Sequence, residues 1–312
     1  MTIVQDSKEK KYKQYSRQLK ELFGCKVYKI TLDAGFTCPN RDGSLSGSGC
    51  IFCEDGGSFS QAHSNKLSIS DQVKTGIEQL KNRFGAEKFI SYFQAYSNTY
   101  APVEKLKTLY DEAVSHPDIV GLSIGTRPDC VDEEKIRLIN SYTKTHQVWI
   151  EYGLQSIHEK SLKLINRGHT AEDFFKACEL TKKFGSDIRI CTHVILGLPG
   201  ETREEMQKTA QAIAELKPDG VKIHMLCVLK NTELENIYNK GELKLLSLEE
   251  YVSAVCDFIE FLPQETAIHR LAGNGLNKIL VAPDWLSEKF KVLNLIDKEF
   301  GRRGTYQGYR YF

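Results

Sequence analysis

Apolar residues recur along this chain with two periods, and the two alternate. Short runs rich in β-branched and aromatic residues read as strands at Val27–Leu32, Phe89–Phe93, Ile119–Ile124, Val148–Tyr152, Ile188–Leu196, Gly220–Leu226 and a short Ala267–Leu271. Between them the apolar positions return at helical spacing over Asp71–Phe84, Val103–Ser115, Glu133–Thr145, Glu159–Ile165, Ala171–Phe184, Arg203–Leu216 and Leu248–Phe261. Start and stop signals agree with these spans. Ser70 or Asp71 can cap the first helix, and Thr202 with Glu205 reads as a capping box. Gly85 and Gly185 stand where a left-handed stop is expected.

Six or more strand–helix units with short connections predict an α/β fold, a parallel sheet covered by helices. Wound round it gives a full or partial barrel; laid flat, a doubly wound sheet. No Ser/Gly/Pro-rich linker, low-complexity tract or repeat divides the chain, so residues 27–282 read as one continuous domain. Residues 1–26, with a helix over about Lys8–Phe23, and residues 283–312 read as extensions packed on that domain.

Composition then narrows the class. Among 312 residues, 42 Lys+Arg face 41 Asp+Glu, and a net charge of +1 offers no broad footprint for a polyanion. The longest apolar runs are short, as in Val194-Ile195-Leu196, where a membrane span needs roughly 20 residues. The first residues carry charge and no apolar core, unlike a secretory signal, so a cytoplasmic location is expected. Cys25, Cys130, Cys178, Cys191, Cys227 and Cys256 are scattered singly and read as small buried hydrophobes. Nine cysteines, an odd number without a leader, argue against a disulfide framework.

The other three cysteines lie in the one stretch that breaks the pattern. From Asp33 to Leu67 the chain is rich in Gly and Ser with little periodicity, and a loop of that length in a compact domain is usually functional. Cys38, Cys50 and Cys53 can converge there, because Gly43, Gly47 and Gly49 let the chain double back. Three nearby thiolates suit an iron–sulfur cluster or zinc. A structural zinc site wants a fourth ligand, which His63 could supply, whereas a disulfide would leave one thiol over. On a four-iron cube, three ligands leave one iron open to chelation. The loop leaves the C-terminal end of the first strand, the face where barrel active sites form. Phe52, just before the last cysteine, could stack on a flat heteroaromatic group.

With these cysteines the chain resembles the radical S-adenosylmethionine (SAM) superfamily. Over nearly its whole length it resembles the YhcC/YtqA-like branch, related to the elongator catalytic subunit. The stretches that carry the likeness are Cys38–Gly43, Tyr92–Glu104, Gly125–Cys130, Glu151–Ser156, Ile165–His169, Gly197–Glu201 and Arg302–Gly308. The cysteine spacing is longer than the common superfamily spacing, though usual for the branch. The resemblance implies a partial (β/α)6 TIM-like barrel, a [4Fe–4S] cluster on Cys38, Cys50 and Cys53, and SAM chelated to the unique iron. One electron, from an external donor such as flavodoxin or ferredoxin, would cleave SAM to a 5′-deoxyadenosyl radical that abstracts a substrate hydrogen. It further implies SAM contacts at Phe52, Gln94, Glu151, Arg167, Gly197 and Leu198. Substrate contacts are expected at Arg127, Asp129, Gln155, His224 and His269, while His193 reads equally as a core histidine.

The branch is associated with modified-base chemistry, which leaves two substrates. One is the free 7-deazaguanine base queuine, cleaved to 7-aminomethyl-7-deazaguanine; the other is a wobble uridine in tRNA. Low net charge and a spare carboxylate at Asp129, suited to a cationic amine, favour the small base. Lys8, Lys10, Lys11, Lys13, Arg17 and Lys20, with Arg302 and Arg303, are the residues that would hold RNA. From other classes, a zinc-stabilised binding module explains the cysteines without catalysis. A flavin or phosphate enzyme on a barrel explains the fold and leaves the three cysteines without a task.

Overall fold

The computed structural model describes residues 10–54, 67–273 and 279–311. Its strands are β1 (Val27–Leu32), β2 (Lys88–Phe93), β3 (Ile119–Thr126), β4 (Gln147–Gln155), β5 (Arg189–Leu196), β6 (Gly220–Met225), β7 (Val228–Leu229), β8 (Ala267–Arg270) and β9 (Leu280–Ala282). The helices are α1 (Tyr15–Phe23), α2 (Ile69–Phe84), α3 (Val103–Val114), α4 (Glu133–Ser141), α5 (Glu159–Leu164), α6 (Ala171–Phe184), α7 (Arg203–Leu216), α8 (Glu233–Asn239), α9 (Leu248–Phe261) and α10 (Lys289–Arg303). Seven strands pair in the order β1-β2-β3-β4-β5-β6-β8, every neighbour parallel. β7 and β9 form a separate antiparallel ribbon.

The central strands are buried on both faces, as a parallel sheet under crossover helices requires. The sheet is curled. Lys222 Nζ on β6 donates to the Tyr92 hydroxyl on β2 at 2.8 Å, and Lys29 on β1 reaches the carboxylate of Glu151 on β4. Contacts that skip two or three strands exist only where the sheet closes toward a half-barrel. Its edge strands β1 and β8 do not pair, and α1 packs against both. Tyr15 and Leu19 of α1 plug that end against Ile90, Trp149, Cys191 and Ala267.

Several local expectations are corrected. The first long helix is capped by Ser68, whose Oγ accepts from Asp71 N at 3.1 Å, so the helix begins at Ile69. Gly85 is left-handed as expected, but Gly185 has φ −142°, and a Cβ there would lie 2.4 Å from Ile188 Cδ1. Its smallness serves close packing. The N-terminal helix starts at Tyr15; before it, residues 10–14 run along the sheet edge, with Gln14 bridging Ile268 and Lys13 O accepting from Ile268 N at 2.8 Å. At the other end α10 buries Val292, Ile296 and Phe300 completely, mainly against α9. Each such side chain contributes about 1.5–3 kcal/mol on leaving water. Among the described residues no helix is long and apolar enough to cross a membrane.

Candidate functional site

The C-terminal ends of the barrel strands converge on a cavity of about 210 Å³. Gln94 after β2, Gly125 and Thr126 on β3, Gly153 and Gln155 on β4, Ile195 on β5, His224 on β6 and Arg270 on β8 all line it. Over its mouth lies the cysteine loop, which contributes Cys38, Cys50, Phe52 and Cys53. None of the three cysteines is in a disulfide.

The loop holds its shape through its own backbone and one outside strap. Arg41 N and Asp42 N donate to Cys38 O at 2.8 and 3.1 Å, and Gly49 N donates to Asn40 O at 2.7 Å. Gly43 and Gly49 take the left-handed backbone that the reversal needs, while Gly47 does not. The strap is Asn166–Arg167, just after α5. Asn166 Nδ2 donates to Gly49 O at 2.6 Å and to Ser48 Oγ at 3.1 Å, and Ile51 N donates to Ile165 O at 3.1 Å. Arg167 lies across β4, with Nη2 on Gly153 O at 2.7 Å and Nη1 on Cys50 Sγ at 3.6 Å. Gly153 makes that crossing possible: a Cβ there would stand 2.6 Å from Arg167 Nη2. Asn40 Nδ2 adds a second donor to Cys50 Sγ at 3.7 Å.

Below the cavity the barrel interior is charged, and every charge there has a partner. Glu151, fully buried in mid-strand, pairs with Lys29 and accepts from Ser123 Oγ at 2.5 Å, His193 Nε2 at 2.7 Å and Lys222 Nζ at 3.0 Å. Burial alone would raise its carboxyl. Lys222, Lys29 and the His193 hydrogen bond outweigh burial and hold it well below the ordinary range. Burial, reinforced by Arg270 and Lys29 against the pull of Glu151, pushes the Lys222 ammonium down to about 8. Burial and Lys222 likewise push His193 down to about 4. Tyr92, Lys29, His193 and Lys222 were not singled out together by the sequence, because four different strands bring them into contact.

Several expected site residues take other places. β4 runs on to Gln155, so Glu151 does not end its strand, and its oxygens already hold four protein donors. Gln155 is the true strand-end residue; at a bulge and with φ +76°, it is turned into the cavity. His269 lies beneath the charged layer, stacked on Tyr15 at 3.8 Å and edge-on to Trp149 at 4.6 Å, away from the cavity lining. Asp129 is not a spare carboxylate, since it takes a bidentate pair from Arg127 at 2.9 and 2.7 Å. Arg127 lines the cavity, but its remaining Nη1 holds Arg167 O at 2.7 Å. Gly197 packs under Leu246 and Leu198 joins the core; neither lines the cavity. Phe52, Gln94, Arg167 and His224 do line it. His63 and Lys8 lie outside the described residues.

Two groups of residues are candidates for a metal centre. Among the described residues, one group alone brings three ligand atoms within 4.8 Å of one another, namely Glu151, Cys191 and His193. Lys29 and Lys222 already occupy that carboxylate, and their charge opposes a cation. Cys38, Cys50 and Cys53 instead line the cavity together from one loop. Three thiolates suit an iron–sulfur cluster. Known proteins show the kind of centre to expect. The Radical SAM superfamily profile matches residues 38–213, and the Radical_SAM C-terminal domain profile matches residues 218–302.

The chain belongs to the radical SAM superfamily.

Within it, the chain falls in the YhcC/YtqA branch. YtqA of Bacillus subtilis, an uncharacterised protein, is 41% identical over 304 residues, covering 96% of this chain and 92% of its own. Protein YhcC of Escherichia coli is 35% identical over 292 residues, 93% of each chain. Among solved structures, the archaeal Elp3 of Methanocaldococcus infernus superposes with a TM-score of 0.68 at 22% identity, over 90% of this chain and 64% of that one. At that identity the likeness is one of fold, the curled parallel half-barrel. As a radical SAM protein the chain uses a [4Fe–4S] cluster and SAM. The residues present fit both groups. Three thiols from one loop, none in a disulfide, face one cavity, and beside Cys50 two buried polar atoms, Arg167 Nε and Asn40 Oδ1, have no hydrogen-bond partner among the described residues. Cys38, Cys50 and Cys53 are the candidates to hold the cluster, with Arg167 beside it for an anionic group of SAM.

Proposed function

We propose that this chain is a radical SAM lyase acting on a free modified 7-deazaguanine base, converting queuine to 7-aminomethyl-7-deazaguanine. The cluster and SAM supply the one-electron chemistry, ending in a 5′-deoxyadenosyl radical, with an external flavodoxin or ferredoxin as donor. The protein's own residues bind, orient and exclude water. The observation that carries the small-substrate reading is the cavity itself, enclosed by the strand ends and walled by the cysteine loop. Beside Cys53, Glu54 lines that cavity, and its carboxylate bonds to no described residue. It can take the cationic secondary amine for which Asp129 is not available.

The basic ends give RNA little to hold. Lys10 pairs with Asp297, Arg17 with Glu21 at 2.9 Å, and Arg302 with Glu299 at 2.8 Å. Arg303 is shared among Asp257 at 2.7 Å, Glu260 at 3.1 Å and Glu299 at 2.7 Å. Surface pairs of this kind cancel the field that a phosphate backbone would feel. The second reading, action on a tRNA wobble uridine, draws on two observations. A tRNA uridine(34) acetyltransferase of Methanocaldococcus infernus is 34% identical over 155 residues, 49% of this chain and 28% of that protein. A surface groove at the closed end of the barrel also carries Lys10, Lys11, Lys13, Arg17 and Tyr306. The two readings separate in one anaerobic assay of reconstituted enzyme with SAM and a strong reductant. One tube holds queuine and another undermodified tRNA, and mass spectrometry follows 5′-deoxyadenosine and the bases. Release of the aminomethyl base from queuine is the expected result; a mass change confined to tRNA would replace this reading with the second.

A further inference from the structure

The cavity carries polar groups that the cluster and SAM do not account for. Around the cysteines they include the Glu54 carboxylate, beside Arg41, Arg127 and Arg167. At the ends of β6 and β8 the cavity offers donors. Arg270 at the end of β8 lines the cavity, and its guanidinium makes no hydrogen bond or ion pair with any described residue. His224 lines the cavity as well, its ring 5.4 Å from that of His193 between centroids, and its side chain makes no hydrogen bond with any described residue. Lys222 stands below them with its charge shared by Glu151. The charged or titratable groups felt alongside Arg270 include Lys222, His224, Tyr92 and Tyr251, with Lys289 from α10, and no carboxylate of the described residues forms an ion pair with it. An arginine presents five N–H donors in a fixed planar fork. Left unpaired at a cavity wall beside a second ring donor, it is organised to receive an oxygen acceptor.

We infer that Arg270 and His224 form the substrate's acceptor-oxygen subsite, which holds the lactam carbonyl of the base at the β6 and β8 wall of the cavity. The identity of that oxygen rests on the base reading above; the subsite itself does not. It sets the substrate's direction: acceptor oxygen toward β6 and β8, cationic amine toward Glu54, and the bond to be broken on the cluster side. It also gives a specificity. A 7-deazapurine with an amino group in place of the oxo group would present donors to donors, the arrangement that rejects analogues most strongly.

Two measurements on the cluster-loaded enzyme with SAM and no reductant test it. In the first, calorimetry compares queuine with its 6-amino analogue. Wild type is expected to prefer the oxo base by at least about tenfold. Arg270→Gln should lose most of that preference, and Arg270→Lys should recover part of it, with SAM binding and melting temperature unchanged in both. An undiminished preference in Arg270→Gln would overturn the subsite. The second measurement needs no base. Phenylglyoxal should modify Arg270, located by peptide mass spectrometry, and acetate should slow the reaction in wild type more than in His224→Phe. If Arg270 does not react, or acetate gives no protection, the subsite is wrong whatever queuine does. If acetate protects and queuine does not bind, the subsite stands and the base reading falls.

Discussion

Two sets of chemistry-bearing side chains share the inside of this barrel, one above the other, and they are built in opposite ways. The upper set, Cys38, Cys50 and Cys53, comes from one loop, with none of its thiols in a disulfide and all three residues lining a cavity. The lower set, Lys29, Glu151, His193 and Lys222, comes from four strands and is closed on itself: the one carboxylate takes donors from all three others. The lower set has the more perturbed ionisation, which by itself would mark it as the reactive centre. What each set faces says otherwise. The upper set opens on the cavity, while the lower set is closed on its own carboxylate and reads as the platform beneath the site.

The strongest way to break that contrast is to remove the cysteines one at a time. Cys38→Ala, Cys50→Ala or Cys53→Ala should each take bound iron from about four atoms per chain to background and abolish SAM cleavage. Cys178→Ala, whose thiol lies fully buried in the core, should keep both. Iron analysis and 5′-deoxyadenosine release check this, and SAM cleavage surviving in any of the first three would remove the cluster assignment.

The matching experiment below is Glu151→Gln. It leaves Lys29 and Lys222 buried around a neutral amide, and breaking a buried pair in this way costs about 3–5 kcal/mol. Replacing Lys29, Glu151 and Lys222 together by Met should recover most of that stability, since no charge is then left uncompensated. Urea melts of the single and triple variants decide it. A Glu151→Gln protein as stable as wild type but unable to cleave SAM would move Glu151 from platform to site.

The same contrast explains what the sequence could disclose. The strand and helix alternation was legible because each element carries its own period, and the seven sheet strands lie where the apolar runs put them. The cysteine loop was legible because its ligands fall within sixteen residues of one another and little else explains a Gly-rich stretch there. The platform was not. Lys29 and Glu151 are 122 positions apart, and Lys222 and Glu151 are 71 apart, so nothing local distinguishes them from surface charges. Asp129 was misread for a related reason. Its partner Arg127 is two residues away, but a run of sequence does not say that the two side chains fold back onto each other. His269 was misread because a strand end at one edge of a curled sheet can face either the cavity or the plug, and α1 supplies the plug.

A smaller effect tests how the upper loop is held. Asn166 has a left-handed backbone, φ +51°, and its side chain grips Gly49 and Ser48. Asn166→Ala removes those hydrogen bonds, about 0.5–1.5 kcal/mol each, and adds about 1–2 kcal/mol of backbone strain. Asn166→Gly removes the bonds without the strain. Both should release iron to a chelator faster than wild type, and Ala alone should carry the additional loss in melting temperature. Equal iron release from all three proteins would mean the strap does not hold the loop.

The smallest effect is a pH slope, and it separates the platform from the site without touching either carboxylate or cysteine. His193 is neutral in the folded protein down to about pH 4, whereas in the unfolded chain it protonates near 6.5. Between those values the unfolded state binds the extra proton, so stability falls as pH is lowered through that window and is fully present above about 6.5. From about pH 7.5 to 5.5 the loss from this one group should be about 1 kcal/mol. Glu151 does not contribute to the slope there, because its folded value lies well below the ordinary one and both states keep it ionised above about pH 4.5. His193→Gln can still donate to Glu151 but cannot titrate, so its stability should fall less steeply over the same range, other buried histidines contributing equally to both proteins. Urea melts at each pH read the difference in slope. Parallel slopes would mean that His193 is protonated in the native barrel, and the lower layer would then hold three cations on its single carboxylate.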